Sequence, residues 1–207
     1  MPRPPELRPH RRPHRRLHRR RLLALAAASL LVTHLPARPA ALDLVRLDAL
    51  RGDQGVLLNF ETRFDLPPAV EDALSRGIAL HFSAEAVLIQ ARWYWRDKEL
   101  ARVSRTWRLA YQPLTLSYRV SQGGLSQSYR ALGEALRAMQ RLTHWRIADA
   151  QTADEDRLQL EFTYRLDTEQ LPRPMQIGIG SQPDWNLRAS RSVPVHEQPP
   201  SGSGARP

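Results

Sequence analysis

Leu158-Gln159-Leu160-Glu161-Phe162-Thr163-Tyr164-Arg165-Leu166 places an apolar residue at every second position. Period two marks a strand with one face in a core and the other in water. The pattern recurs upstream, where Val56, Leu58, Phe60 and Phe64 alternate with Asn59, Glu61, Arg63 and Asp65. Leu44-Val45-Arg46-Leu47 is the expected hairpin partner of that strand, across Arg51-Gly52-Asp53-Gln54-Gly55. Leu114, Leu116, Tyr118 and Val120 give a further strand, and Gly123-Gly124 turns it back into Leu125–Tyr129. Between Ile78 and Trp95 the apolar positions are even at first (Ile78, Leu80, Phe82) and odd later (Ile89, Ala91, Trp93, Trp95). One strand cannot change faces without an extra residue, which predicts a bulge or bend between Ala84 and Gln90. A polar turn, Arg96-Asp97-Lys98-Glu99, leads into a returning strand with Val103, Trp107, Leu109 and Tyr111, making the longest hairpin of the chain.

Two helices interrupt the strands. Leu66-Pro67-Pro68 opens the first, whose buried stripe is Val70, Ala73 and Leu74 and whose stop is Gly77. The second runs from Ala131 to Leu142, with Leu132, Ala135, Leu136, Met139 and Leu142 on the 3.6-residue period. Trp145 and Ile147 mark a short strand, and Met175–Ile177 and Trp185–Leu187 are weaker strand candidates. About eight strands with short inserted helices predict a mainly β fold, a single antiparallel β-sandwich-like domain. The alternative is an α+β sheet with both helices on one face.

The 207 residues carry a formal charge of +10, concentrated at the amino terminus. Residues 1–21 hold nine arginines against Glu6, whereas from Leu42 onward 21 basic residues face 20 acidic ones. The domain is therefore near neutral and gives no electrostatic reason to bind nucleic acid. An apolar run, 22–32, follows the basic one directly, as a secretory signal requires and a nucleic-acid-binding arm does not. It is shorter than the roughly 20 residues of a membrane span. Residues 1–41 are thus expected to be a signal sequence, 42–196 a single exported β-rich domain, and 197–207 a disordered tail rich in Pro, Ser and Gly. The expected location is the periplasm, with the chain held at the inner membrane if the signal stays uncleaved. Membrane contact is expected through that signal only.

Absence of cysteine excludes disulfides, thiolate nucleophiles and Cys-ligated zinc. His81, His144 and His196 lie far apart without metal-site spacing, and His81 falls on the polar parity of its strand. Gly124-Leu125-Ser126-Gln127-Ser128 lacks the G-x-S-x-G elbow, and Ile177-Gly178-Ile179-Gly180 lacks the helix of a dinucleotide site. Asp154-Glu155-Asp156 reads as a solvated turn rather than a calcium loop. No catalytic residue, metal ligand or cofactor is assigned.

The long hairpin carries the candidate surfaces. Trp93, Trp95, Trp107 and Tyr111 form an aromatic cluster if they share a face, either core or the lining of an apolar groove. The other face carries Arg92, Tyr94, Arg96 and Arg108, a composition enriched at protein interfaces.

Several stretches of the chain carry a family resemblance. They are Leu66-Pro67-Pro68 with Ala73–Gly77, Arg92–Asp97, Arg105–Tyr111, Leu114-Thr115 with Tyr118–Ser121, and Gly123-Gly124-Leu125 with Gln127-Ser128. Ala135-Leu136, Trp145-Arg146, Arg165-Leu166-Asp167 with Gln170–Pro172, and Asp184-Trp185 continue the series. In this order they resemble the bacterial domain of unknown function 4390 family. The resemblance implies a small exported protein of proteobacterial type whose gene often neighbours a nitrogen-regulation-type sensor kinase and its response regulator. It supplies no catalytic residues. The function expected is a non-catalytic accessory module docking another envelope protein, a sensor-kinase ectodomain among the candidates. A carrier of an apolar ligand is the second reading. A hydrolase assembled from distant Ser, His and acid residues is the third.

Overall fold

The computed structural model describes residues 42–92, 97–153, 155–179 and 182–198. The leader at 1–41 and tail residues 199–207 lie outside them. The chain is mainly β and builds two sheets. One contains β1 (Asp43–Gly52), β2 (Gly55–Arg63), β7 (Arg141–Ala148) and β10 (His196–Glu197), in the order β10-β1-β2-β7. The other contains β3 (Leu80–Gln90), β4 (Lys98–Gln112), β5 (Ser117–Gln122), β6 (Leu125–Tyr129), β8 (Leu158–Leu166) and β9 (Arg188–Pro194), in the order β6-β5-β4-β3-β8-β9. All pairings are antiparallel except the short parallel one between β1 and β10. The sheets face each other as in a sandwich. The chain passes from β9 in one sheet to β10 in the other through Val195.

Alternation decides which side of each strand enters the core. Leu158, Leu160, Phe162, Tyr164 and Leu166 of β8 are buried, as are Val56, Leu58 and Phe60 of β2. Phe60 bridges the sheets. Its ring lies 4.8 Å from Phe162 and 5.9 Å from Tyr164 of the six-stranded sheet, and 6.4 Å from Trp145 of β7. Trp107 of β4 meets it edge-on at 6.3 Å. Tyr164 is completely buried and its hydroxyl donates to the Met139 carbonyl at 3.3 Å, so this buried hydroxyl is satisfied.

The helices close gaps between sheets and turns. α1 (Pro68–Ser75) buries Val70, Ala73 and Leu74, and Gly77 at φ +89° ends it while Ile78 N–H reaches the Ala73 carbonyl at 3.1 Å. α2 (Leu132–Met139) packs Ala135, Leu136 and Met139 inward beside β5 and β6. α3 (Ala150–Ala153) follows β7, where a Cβ on Gly55 would lie 2.1 Å from the Ala148 carbonyl oxygen. α4 (Arg173–Ile179) and two single 3-10 turns, Thr168–Gln170 and Pro183–Trp185, complete the described elements.

Five details depart from the sequence reading. The bulge in the long hairpin occurs at Leu88/Ile89, inside the expected interval, but the extra residue is Leu100 of β4. β3 therefore keeps its even residues inward through Leu88. Leu114 and Leu116 belong to a turn, not a strand, and are 101% and 70% exposed. α2 ends at Met139 because Arg141 and Leu142 pair with Glu61 and Phe60 of β2, so strand pairing overrides the helical period. Met175 and Gln176 lie in α4, which leaves helical geometry at Ile177 and Gly178, and Trp185 closes a 3-10 turn begun by Pro183; short apolar runs beside prolines fit either state. Finally, β9 has only Ala189 and Val193 as inward apolar residues and carries no strong alternation.

Removing the Phe60 ring leaves a cavity touching both sheets. Phe60→Ala should lower unfolding free energy by about 3–5 kcal/mol in urea titrations followed by tryptophan fluorescence. A loss below about 1 kcal/mol would contradict its role as the joint between sheets.

Candidate functional site

The hairpin of β3 and β4 distributes its candidate residues unevenly. Trp107 is buried between Phe60 and Tyr164 and belongs to the core. Tyr111 is half-buried and packs its ring 5.1 Å from Tyr118 of β5. Arg108 is exposed on the opposite face, in register with His81. Arg92 is also exposed, and its backbone N–H donates to Asp97 at 3.1 Å. It lies beyond Gln90, which is nine positions along β3 from His81, or roughly 30 Å at strand rise. Arg92 and Arg108 thus occupy opposite ends of the hairpin. Trp93, Tyr94, Trp95 and Arg96 lie outside the described residues.

Register across the six-stranded sheet shows what accompanies Arg108. His81, Arg108, Ser121 and Ser126 follow one another from β3 to β6 on the outer face, and Asp167, just past the end of β8, bonds the His81 backbone beside them. The next row is Arg188, Arg165, Ser83 and Thr106. Arg119 of β5 adds a further guanidinium on that face, next to Ser128 of β6. Among the described residues none of Arg108, Arg119, Arg165 and Arg188 is within ion-pair distance of a carboxylate. Asp167, an acid at this end of the face, accepts from Gln170 at 2.6 Å and from the Glu169 N–H at 3.3 Å. At the other end of the face Arg102 is paired with both Glu85 and Glu99, and its hydrogen bond to Glu99 lowers that carboxyl's pKa. The outer face is therefore polarised, with an arginine-bearing end and a neutralised one.

Arg119, Arg165 and Arg188 were not apparent from the sequence as members of this surface. Their parity on each strand is visible, but the pairing of β3 with β8, which are far apart in the chain, is not.

His81 sits in the middle of the arginine-bearing end. Its backbone carbonyl accepts from Asp167 N–H at 2.7 Å, while its Nδ1 is buried without a partner among the described residues. Burial first, then the positive field of Arg108, holds the imidazole below its ordinary value of 6.5, against the opposing pull of Asp167. The Asp167 oxygens are committed to Gln170 and Glu169, and Ser121 Oγ bonds Ser126 Oγ at 2.8 Å. No His–acid or Ser–His hydrogen bond links these groups among the described residues, and the described clefts lie elsewhere. The largest of those, about 480 Å³, opens between the end of β2 and α2 and is walled by Glu61, Arg63, Asp65, Arg137 and Arg141. Such charged walls suit neither an apolar ligand nor the aromatic groove read from the hairpin. The described residues hold no cluster of three metal-ligating side chains and no helix long and apolar enough to cross a membrane.

The family model for the domain of unknown function DUF4390 matches residues 40–193, most of the chain, and the chain belongs to that family. No curated protein and no solved structure matches it.

A depressed histidine pKa favours the neutral form in the folded state, so folding must exclude a proton that the unfolded chain binds below pH 6.5. That contribution is present above pH 6.5 and is lost as pH falls through the folded-state value. His81→Gln should flatten the fall in thermal midpoint between about pH 7.5 and about pH 5. Parallel profiles for variant and parent would show that His81 is not the responsible group.

Proposed function

We propose that this member of the DUF4390 family is a non-catalytic accessory module of the cell envelope that docks an acidic surface of another protein. The observation carrying this reading is the set of four arginines on β4, β5, β8 and β9, flanking β3 on one outer sheet face, none paired with a carboxylate among the described residues. Unpaired guanidinium groups spread over a flat face favour complementary carboxylates on a protein partner, and they steer its approach. Ser83, Thr106, Ser121 and Ser126 supply short hydroxyls between them, so a partner's backbone can come close. Export rests on the basic and apolar leader, and an envelope partner follows from it. A sensor-kinase ectodomain with an acidic docking face fits the same chemistry.

The test is a crosslinked pull-down from native envelope using the tagged full chain, read by mass spectrometry. The double variant Arg108→Glu/Arg188→Glu should lose the partner while keeping the parent's circular dichroism and thermal midpoint. Arg46→Glu, on the other sheet, should retain it. Equal recovery with the double variant would overturn docking through this face.

A further inference from the structure

Sheet edges expose unpaired amides and carbonyls that template pairing with another chain, and proteins blunt them with charge, proline, bulges or brevity. Three of the four edge strands among the described residues are blunted in this way. β9 carries Arg188, Arg191 and Pro194. β7 carries Arg141 and Arg146 and breaks register with β2 twice, with His144 at φ +54° and its N–H capped by Asn59 at 2.8 Å. β10 has two residues. β6 has no such device. It reads Leu125-Ser126-Gln127-Ser128-Tyr129, without charge or proline, and pairs with β5 in unbroken register.

We propose that β6 is a self-association edge, pairing antiparallel with β6 of a second copy of this chain about a two-fold axis through Gln127. The two-residue turn at Gly123-Gly124, with φ +54° and +85°, makes Gln122 and Leu125 the first hydrogen-bonded pair of the β5–β6 ladder. Alternation then turns the backbone groups of Ser126 and Ser128 away from β5. No described residue bonds them on that side.

The strand is self-complementary about its centre. A two-fold at Gln127 sets Ser126 against Ser128 of the partner subunit, and the reverse, giving about four backbone hydrogen bonds. It also sets Leu125, 80% exposed in the single chain, against Tyr129 of the partner subunit. That contact occurs twice, so each copy covers the other's exposed leucine. Gln127 meets Gln127 of the partner subunit, where two amides can bond each other. Arg130 falls opposite the partner's Gly124, so no like charges meet. Centring on Ser126 or Ser128 instead loses the Leu–Tyr contacts. An isologous contact of this kind closes as a dimer and leaves no second sticky edge. Because one short strand buries less than a standard interface, the dimer is expected to be concentration-dependent.

The chain lacks cysteine, which gives a direct test. In a non-hydrogen-bonded antiparallel pair the Cα atoms are about 4.5 Å apart, within disulfide reach. Gln127→Cys in the full chain should therefore form a covalent dimer under mild oxidation, and Ser104→Cys on the exposed face of β4 should not. Sedimentation equilibrium should show the parent reaching twice the monomer mass at high concentration. Gln127→Lys, an exposed change that faces two ammonium groups across the axis, should stay monomeric with an unchanged thermal midpoint. A parent that remains monomeric throughout, a Gln127→Lys protein that still dimerises, or Gln127→Cys crosslinking no better than Ser104→Cys would overturn the proposal. These readouts need no envelope partner, so they stand apart from the docking test.

Discussion

Phe60 is held between the two sheets, and the rest of the fold depends on that packing. Its neighbours come from β4, β7 and β8, so one ring ties the four-stranded sheet to both halves of the six-stranded one. Phe82 and Phe64 stack at 5.1 Å and extend the aromatic layer toward α1. A chain without disulfides depends heavily on such burial for its stability. Aromatic rings suit the joint because each covers a large area in fixed edge-on or tilted geometries.

Committing one parity of the central strands to this layer leaves the other parity facing outward. On β3, β4 and β8 the inward residues include Ala84, Ala86, Trp107, Leu109, Phe162 and Tyr164, and all are buried. The outward residues are mostly Ser, Thr, Arg, Glu, Gln and His, with Val87 buried and Ala110 half-buried among them. His81 shows the cost of placing a titratable ring in such a face. The flanking strands bury its Nδ1 but give it no partner, and Arg108 beside it disfavours the cation.

Strand alternation made much of this architecture legible in the sequence. β2, β8 and the β5–β6 turn follow from local period and turn chemistry, and α1 from its Pro start and Gly stop. What stayed hidden depends on contacts distant in sequence. The switch of apolar parity marks the bulge of the long hairpin, yet the extra residue is Leu100, because a ladder records only relative register. The helical period through Leu142 lost to pairing with Phe60, since two backbone hydrogen-bonding partners were waiting on β2. β9 is not legible locally, because its outward Arg188 and Ser residues dilute a two-residue apolar signal. The candidate site was partly legible for the same reason. Arg108 and its parity are local facts, but its company of Arg165 and Arg188 exists only once β8 and β9 join β3.

Where recognition can occur follows from where the structure has room. Trp107, the described tryptophan of the hairpin, is fully engaged with Phe60 and Tyr164, so it cannot also line a ligand cavity. The cleft beside α2 is walled by charges of both signs, and its buried polar groups already bond one another: Gln140 donates to the Phe64 carbonyl at 2.7 Å and Thr62 to the Gln140 carbonyl at 3.2 Å. A small ligand needs a concave, largely apolar enclosure with a few convergent polar groups, and the outer sheet face is none of these. A sheet face whose arginines have no carboxylate partner among the described residues, with short hydroxyls between them, favours instead the proposed contact with another protein. The edge at β6 adjoins that same face, so pairing two copies there would place both arginine-bearing ends on one continuous sheet.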